Sequence, residues 1–106
     1  MEIGCFEDET FNKINIDKKV GVDPNSGGNV RLTSDNFFKI NKDRFDIIFI
    51  DGLHAFKQVK KDITNSLNIL NKNGVLLFMI ACHKKFEIKR LLDLMNIGMV
   101  MFGKLL

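Results

Sequence analysis

The chain contains neither tryptophan nor tyrosine and only two cysteines. No apolar stretch approaches the roughly 20 residues that a bilayer-spanning helix needs, which excludes such a helix and makes a membrane partner unexpected. The first residues lack the basic and apolar regions of a secretory signal, so the expected compartment is the cytoplasm. Cys5 and Cys82 form neither a disulfide framework nor a metal-site spacing, and read as two buried thiols near strand ends. The net charge is only +3. The lysines that dominate the basic count are scattered, which describes a solvated surface and argues against a nucleic-acid footprint. Internal repeats, low-complexity segments and linkers are absent, and 106 residues read as one domain, residues 1–106. With 45% apolar and 27% charged residues, the composition is that of a soluble globular protein.

What is present is organised around Phe45-Asp46-Ile47-Ile48-Phe49-Ile50-Asp51-Gly52-Leu53-His54. Four apolar residues, Ile47 to Ile50, follow one another without alternation, as in a strand covered on both faces in the middle of a parallel sheet. Before it come a short strand ending at Glu2-Ile3-Gly4-Cys5, a short helix over residues 7–14 with acids at its start, and a second strand over 18–24. The stretch Pro24 to Asn29 is the strongest loop signal in the chain. Val30 to Thr33 reads as a short third strand, and Ser34 as the N-cap of a helix over 35–40. After it, residues 55–70 give the clearest helix: Phe56, Val59, Ile63, Leu67 and Leu70 recur at spacings of three and four, while Lys57, Lys60, Lys61, Asn65 and Asn68 take the other side. Asn71-Lys72-Asn73-Gly74 predicts a glycine stop. A strand over 75–81, a helix over 84–95 and a last strand over 98–102 complete the pattern. Strand–helix alternation with short loops predicts a three-layer α/β sandwich with a mostly parallel, Rossmann-like sheet.

Three acids close strand-like segments: Glu2 near Gly4, Asp23 after Val22, and Asp51 after Ile50. In a parallel sheet these ends share one edge, where open α/β sheets bind ligands. An acid after the second strand suits a ribose diol; the alternative is that Asp simply caps loops. The glycine-rich dinucleotide fingerprint is absent, and Glu7 and Asp8 in the first turn would repel a pyrophosphate, so a cationic cofactor without phosphate is the compatible one. Asp51 and His54, three apart around a turn, can converge as metal ligand and general base, or His54 can merely start the helix. His83, beside Lys84 and Lys85, reads as a solvated loop residue. Phe37 and Phe38 read as core, with one ring able to lie against an adenine.

In combination and order, Glu2-Ile3-Gly4, Val20-Gly21-Val22-Asp23-Pro24, Thr33-Ser34-Asp35-Asn36-Phe37-Phe38, the organising stretch through Asp51-Gly52-Leu53-His54, and Leu70 to Gly74 resemble class I S-adenosylmethionine-dependent methyltransferases. The nearest branch is the small methyltransferase-domain group whose fourth strand ends Ile-Asp-Gly-Leu-His, and the resemblance covers about residues 1–82. It implies a truncated class I methyltransferase fold. Glu2 and Gly4 would hold the methionine part of S-adenosylmethionine, Asp23 the ribose hydroxyls, and Ser34 and Asp35 would lie near the adenine. Asp51 and Gly52 would line the cofactor and acceptor side. In related sugar O-methyltransferases an Asp and a His at this spacing serve as metal ligand and base, which points to Asp51, with Mg²⁺, and to His54. Departures are a residue near Asp8 where the family has glycine, Met79 to Cys82 without the usual acid after the fifth strand, a short segment from Asp23 to Val30, and no antiparallel seventh strand.

Two functions follow. The first is methyl transfer to an oxygen or nitrogen of a small or glycan-like acceptor, with His54 and Asp51 catalytic. The second is an inactive methyltransferase-like module for binding or assembly, pairing as a homodimer through an exposed sheet edge near Met99 to Phe102.

Overall fold

The computed structural model describes residues 1–5, 9–52, 56–80, 90 and 100–103. Their order is β1 (Glu2–Ile3), α1 (Glu9–Lys13), β2 (Gly21–Val22), α2 (Ser34–Ile40), β3 (Phe45–Gly52), α3 (Phe56–Ile69), β4 (Leu70–Ile80) and β5 (Val100–Gly103). The five strands form one sheet in the order β2-β1-β3-β4-β5. Every neighbouring pair is parallel, so the connections must cross over the sheet faces.

Side-chain alternation assigns the faces. Ile3 is level with Val22 and with Ile50, and it packs with Ile48, Ile50, Leu76 and, from α3, Val59 and Ile63 in one cluster. All six are at most 2% exposed. Each such aliphatic contributes about 1.5–3 kcal/mol by leaving water, so this cluster is the main source of cohesion. Glu2 and Gly21, which are partners in register, fall on the opposite face because strand side chains alternate. A Cβ on Gly21 would come within 2.8 Å of the Phe11 ring and of Cys5 Sγ. The α1 helix therefore presses on that second face, and helices lie on both sides of the sheet.

Coverage of the second face is partial, which corrects the expectation drawn from the apolar run in β3. Ile48 and Ile50 are fully buried, but Ile47 is 50% exposed and its register partner Val75 is 40% exposed. Among the described residues, the helix on this face is α1, seated by Phe11 over β2, with β1 between it and β3.

Three local expectations change. The segment after the Asp23 loop is no third strand: only Val30 forms an isolated bridge to Val22, because the loop folds back and Asn29 and Val30 both donate to the Gly21 carbonyl. The N-cap of α2 is Thr33, whose hydroxyl accepts from Asn36 N at 3.2 Å, so Ser34 is the first helical residue. Finally, α3 passes directly into β4. Between the Phe45–Leu70 and Ile47–Val75 pairings the register shifts, and the extra residues of β4 bulge out. The left-handed conformation there belongs to Asn73, at φ 67°, and not to Gly74. Gly74 is needed for space, since a Cβ would meet Asn71 O and the Leu70 side chain at 2.8 Å. Of the helix expected over 84–95 only Arg90 is described, and it is helical.

Candidate functional site

Because Ile3, Val22 and Ile50 are level, the residues that follow them, Gly4, Asp23 and Asp51, stand side by side at the carboxyl end of three adjacent strands. This edge arrangement follows from the parallel topology and needs no further device. Gly4 turns the chain there. Its φ of 84° lies in the left-handed region where a Cβ is disfavoured, and its N–H donates to the Val22 carbonyl at 2.9 Å.

Next to this edge, where α2 and α3 lean over β1 and β2, is a cavity of about 290 Å³, at the lower end of the range for small-molecule sites. Its walls are Ile3, Gly4, Val22, Pro24, Thr33, Ser34, Asp35 and Gln58. It thus gathers three of the residues singled out from sequence, Gly4, Ser34 and Asp35. Glu2, Asp23, Asp51 and Gly52 are not among its walls. Glu2 is 4% exposed and sits on the sheet face opposite Ile3. Asp23 is 8% exposed, and its Oδ1 accepts from Asn25 N at 2.8 Å and Ser26 N at 2.9 Å, which fixes its carboxylate against its own loop. Arg31 holds the same turn by donating to Asp23 O at 3.0 Å. Asp51 and Gly52 end β3 at the sheet edge. His54 lies outside the described residues, as do Glu7, Asp8, Cys82 and His83. Among the described residues, no group of three or more His, Cys, Asp or Glu is placed to hold a metal ion.

The cavity wall is organised by residues that the sequence reading passed over. Asp62 and Ser66, in α3, are both completely buried. The Ser34 hydroxyl donates to Asp62 Oδ1 at 2.6 Å, the short distance typical of a hydroxyl on a carboxylate. Gln58 Nε2 donates to Asp62 Oδ1 and Asp35 Oδ1, each at 3.0 Å, and approaches Ser34 Oγ at 3.2 Å. The Gln58 hydrogen bond holds the Asp35 carboxyl below its ordinary value, against desolvation, the next largest influence, and with smaller help from Lys61 and Lys39. Lys61 Nζ is 3.6 Å from Asp35 Oδ2, an exposed pair that adds little. A signal for this network was available: Asp62 and Ser66 stand three and seven residues after Val59, in the apolar register of the helix, where a polar residue needs a partner.

Phe37 is buried and meets Phe38 edge-to-face at 5.7 Å, with Phe38 packed on the core cluster, as expected for core rings. Cys5 is buried, and its thiol donates to the Glu2 carbonyl at 3.9 Å. No helix among the described residues is long and apolar enough to cross a membrane.

A family model described as a methyltransferase domain matches residues 5–78. That span includes β2, α2, β3 and α3 and most of the cavity wall. No curated protein and no solved structure matches the chain.

Proposed function

The chain belongs to this methyltransferase-domain family, and from that premise we propose that it binds S-adenosylmethionine at the carboxyl edge of the sheet and methylates an oxygen or nitrogen of a small or glycan-like acceptor. The observation that carries this reading is the cavity beside Gly4, walled by Ser34, Asp35 and Gln58 and flanked by Asp23 and Asp51. The donor set fits the cofactor: carboxylates at the edge suit a cation, and a wall of hydrogen-bond acceptors suits an amino-bearing base.

In this reading Glu2 and Gly4 serve the methionine end, Asp23 the ribose hydroxyls, and Ser34 and Asp35 the adenine. Asp51 and Gly52 line the side where cofactor and acceptor meet. When bound, the cofactor supplies a methyl group on a positively charged sulfur. What the protein adds is alignment, together with a base wherever the acceptor atom carries a proton. His54 takes that proton, and Asp51 orients the acceptor; were magnesium bound, Asp51 would be its ligand.

Calorimetric titration with S-adenosylmethionine and S-adenosylhomocysteine, with and without magnesium, tests this directly. Micromolar binding is expected; a folded protein that binds neither overturns the cofactor reading. Replacing His54 with Ala is expected to abolish turnover while sparing cofactor affinity, and unchanged turnover removes His54 from the chemistry.

The second reading, an assembly module without turnover, draws on the exposed Ile47 and Val75 and on β5 as the edge strand of the sheet. It expects a homodimer in light scattering, and a monomer at high concentration counts against it.

A further inference from the structure

The buried Asp62 stands behind the cavity wall, not in it, and this placement has a chemical outcome. Gln58 brings one amide with two branches. Its NH₂ faces Asp35 Oδ1, Asp62 Oδ1 and Ser34 Oγ. Reversing the amide would set its carbonyl against two carboxylate oxygens, so the orientation is enforced by charge. The Ser34 hydrogen is likewise committed to Asp62. Across Ser34, Asp35 and Gln58, the side-chain hydrogens are therefore directed at protein oxygens, and acceptors remain for a ligand.

We propose that Asp62 is a positioning residue that fixes Ser34 and Gln58 so that the Ser34–Asp35–Gln58 part of the wall turns side-chain acceptors to the cavity, making the cavity select a ligand edge that carries an amino group over one that carries a carbonyl. Resting on the cofactor reading above, this means a 6-aminopurine is taken and a 6-oxopurine is refused. Asp62 acts through Gln58 and Ser34 and touches no ligand itself. Its burial shields the arrangement from water, which would otherwise let the amide exchange partners.

The test is calorimetric titration of the full chain with S-adenosylhomocysteine and with its 6-oxo counterpart, S-inosylhomocysteine. The native chain is expected to prefer the amino compound by roughly tenfold or more, since the oxo edge leaves the wall's acceptors facing an acceptor. Asp62→Ala is expected to bring the two affinities close together. Asp62→Asn, which keeps an oxygen for Ser34 and Gln58 to donate to, is expected to retain the preference. A general structural defect would weaken both ligands and leave their ratio in place. Gln58→Met, at a partly exposed helix position, removes the amide without opening the core and, with Asp35 left as an acceptor, is expected to narrow the preference even if Asp62→Ala does not fold. An unchanged ratio in a folded Asp62→Ala or Gln58→Met overturns the proposal. Equal affinities in the native chain overturn it while leaving the cofactor reading intact; binding of neither compound overturns the cofactor reading itself.

Discussion

The two faces of the β3–β4 pair are built from the same kind of residue and end up in different surroundings. On one face Ile48, Ile50 and Leu76 meet Val59 and Ile63 of α3 with no exposure at all. On the other, Ile47 and Val75 pair across the strands and stand about half open. Among the described residues, what separates the two faces is that α3 lies against β3 and β4 while α1 is seated over β2. Burial is thus decided by what lies opposite a strand, and an uninterrupted apolar run reports only that both faces tolerate burial.

The strongest way to sharpen this contrast is a pair of truncations one residue apart. Ile48→Ala is expected to cost about 2–5 kcal/mol in urea unfolding, because it leaves a cavity in a closed core. Next in size is the polar insertion in the dry face. Asp62→Ala strips Ser34 and Gln58 of their shared acceptor and is expected to cost about 1–3 kcal/mol in the same assay; an unchanged midpoint would mean that water takes over its role. Thr33→Ala, which removes the α2 cap, is expected to cost about 1 kcal/mol, read as a lowered thermal midpoint. On the open face, Ile47→Thr is expected to stay within about 0.5 kcal/mol of the native chain. A cost like that of Ile48→Ala would show that Ile47 is covered in solution.

Acid gives the smallest effect. The Asp35 carboxyl is held below its ordinary value, first by Gln58 and then by Lys61, so folding gains from its ionisation. That gain is complete above the unfolded-state value and fades as pH falls through the lower folded-state value. Because the side chain is 41% exposed, the loss is expected to be slight, visible as a difference between the native chain and Asp35→Asn in thermal midpoints measured from neutral pH to below the carboxylate range.

Much of the frame was legible in the residues. The continuous apolar runs marked β3 and most of β4, the three-four spacing marked α3, and the acids after Val22 and Ile50 did fall on one edge with Gly4. What escaped was long in range or finely balanced. Thr33 and Ser34 are adjacent hydroxyls, either able to cap, and the choice turned on Asp62, 28 residues away. Asp62 was passed over among the residues of the lysine-rich helix, although its position lay in the apolar register. The stop after α3 was sought in Gly74, but Asn73 tolerates the left-handed turn and leaves glycine to answer a steric demand. The contribution of His54 rests on residues outside those described.

The central place of β1 bears on how this molecule comes into being. Its two residues, Glu2 and Ile3, lie between β2 and β3. During synthesis β1 must therefore wait for Phe49 and Ile50 before it has a neighbour on that side. With every described strand parallel, no hairpin among them can form early and hold the sheet together. Assembly of the sheet's middle depends on closing long loops, which is slow and leaves apolar strands uncovered meanwhile. A newly made chain of this design is at its most vulnerable before α3 closes over β3, and chaperone dependence during synthesis is the expected mark of that interval.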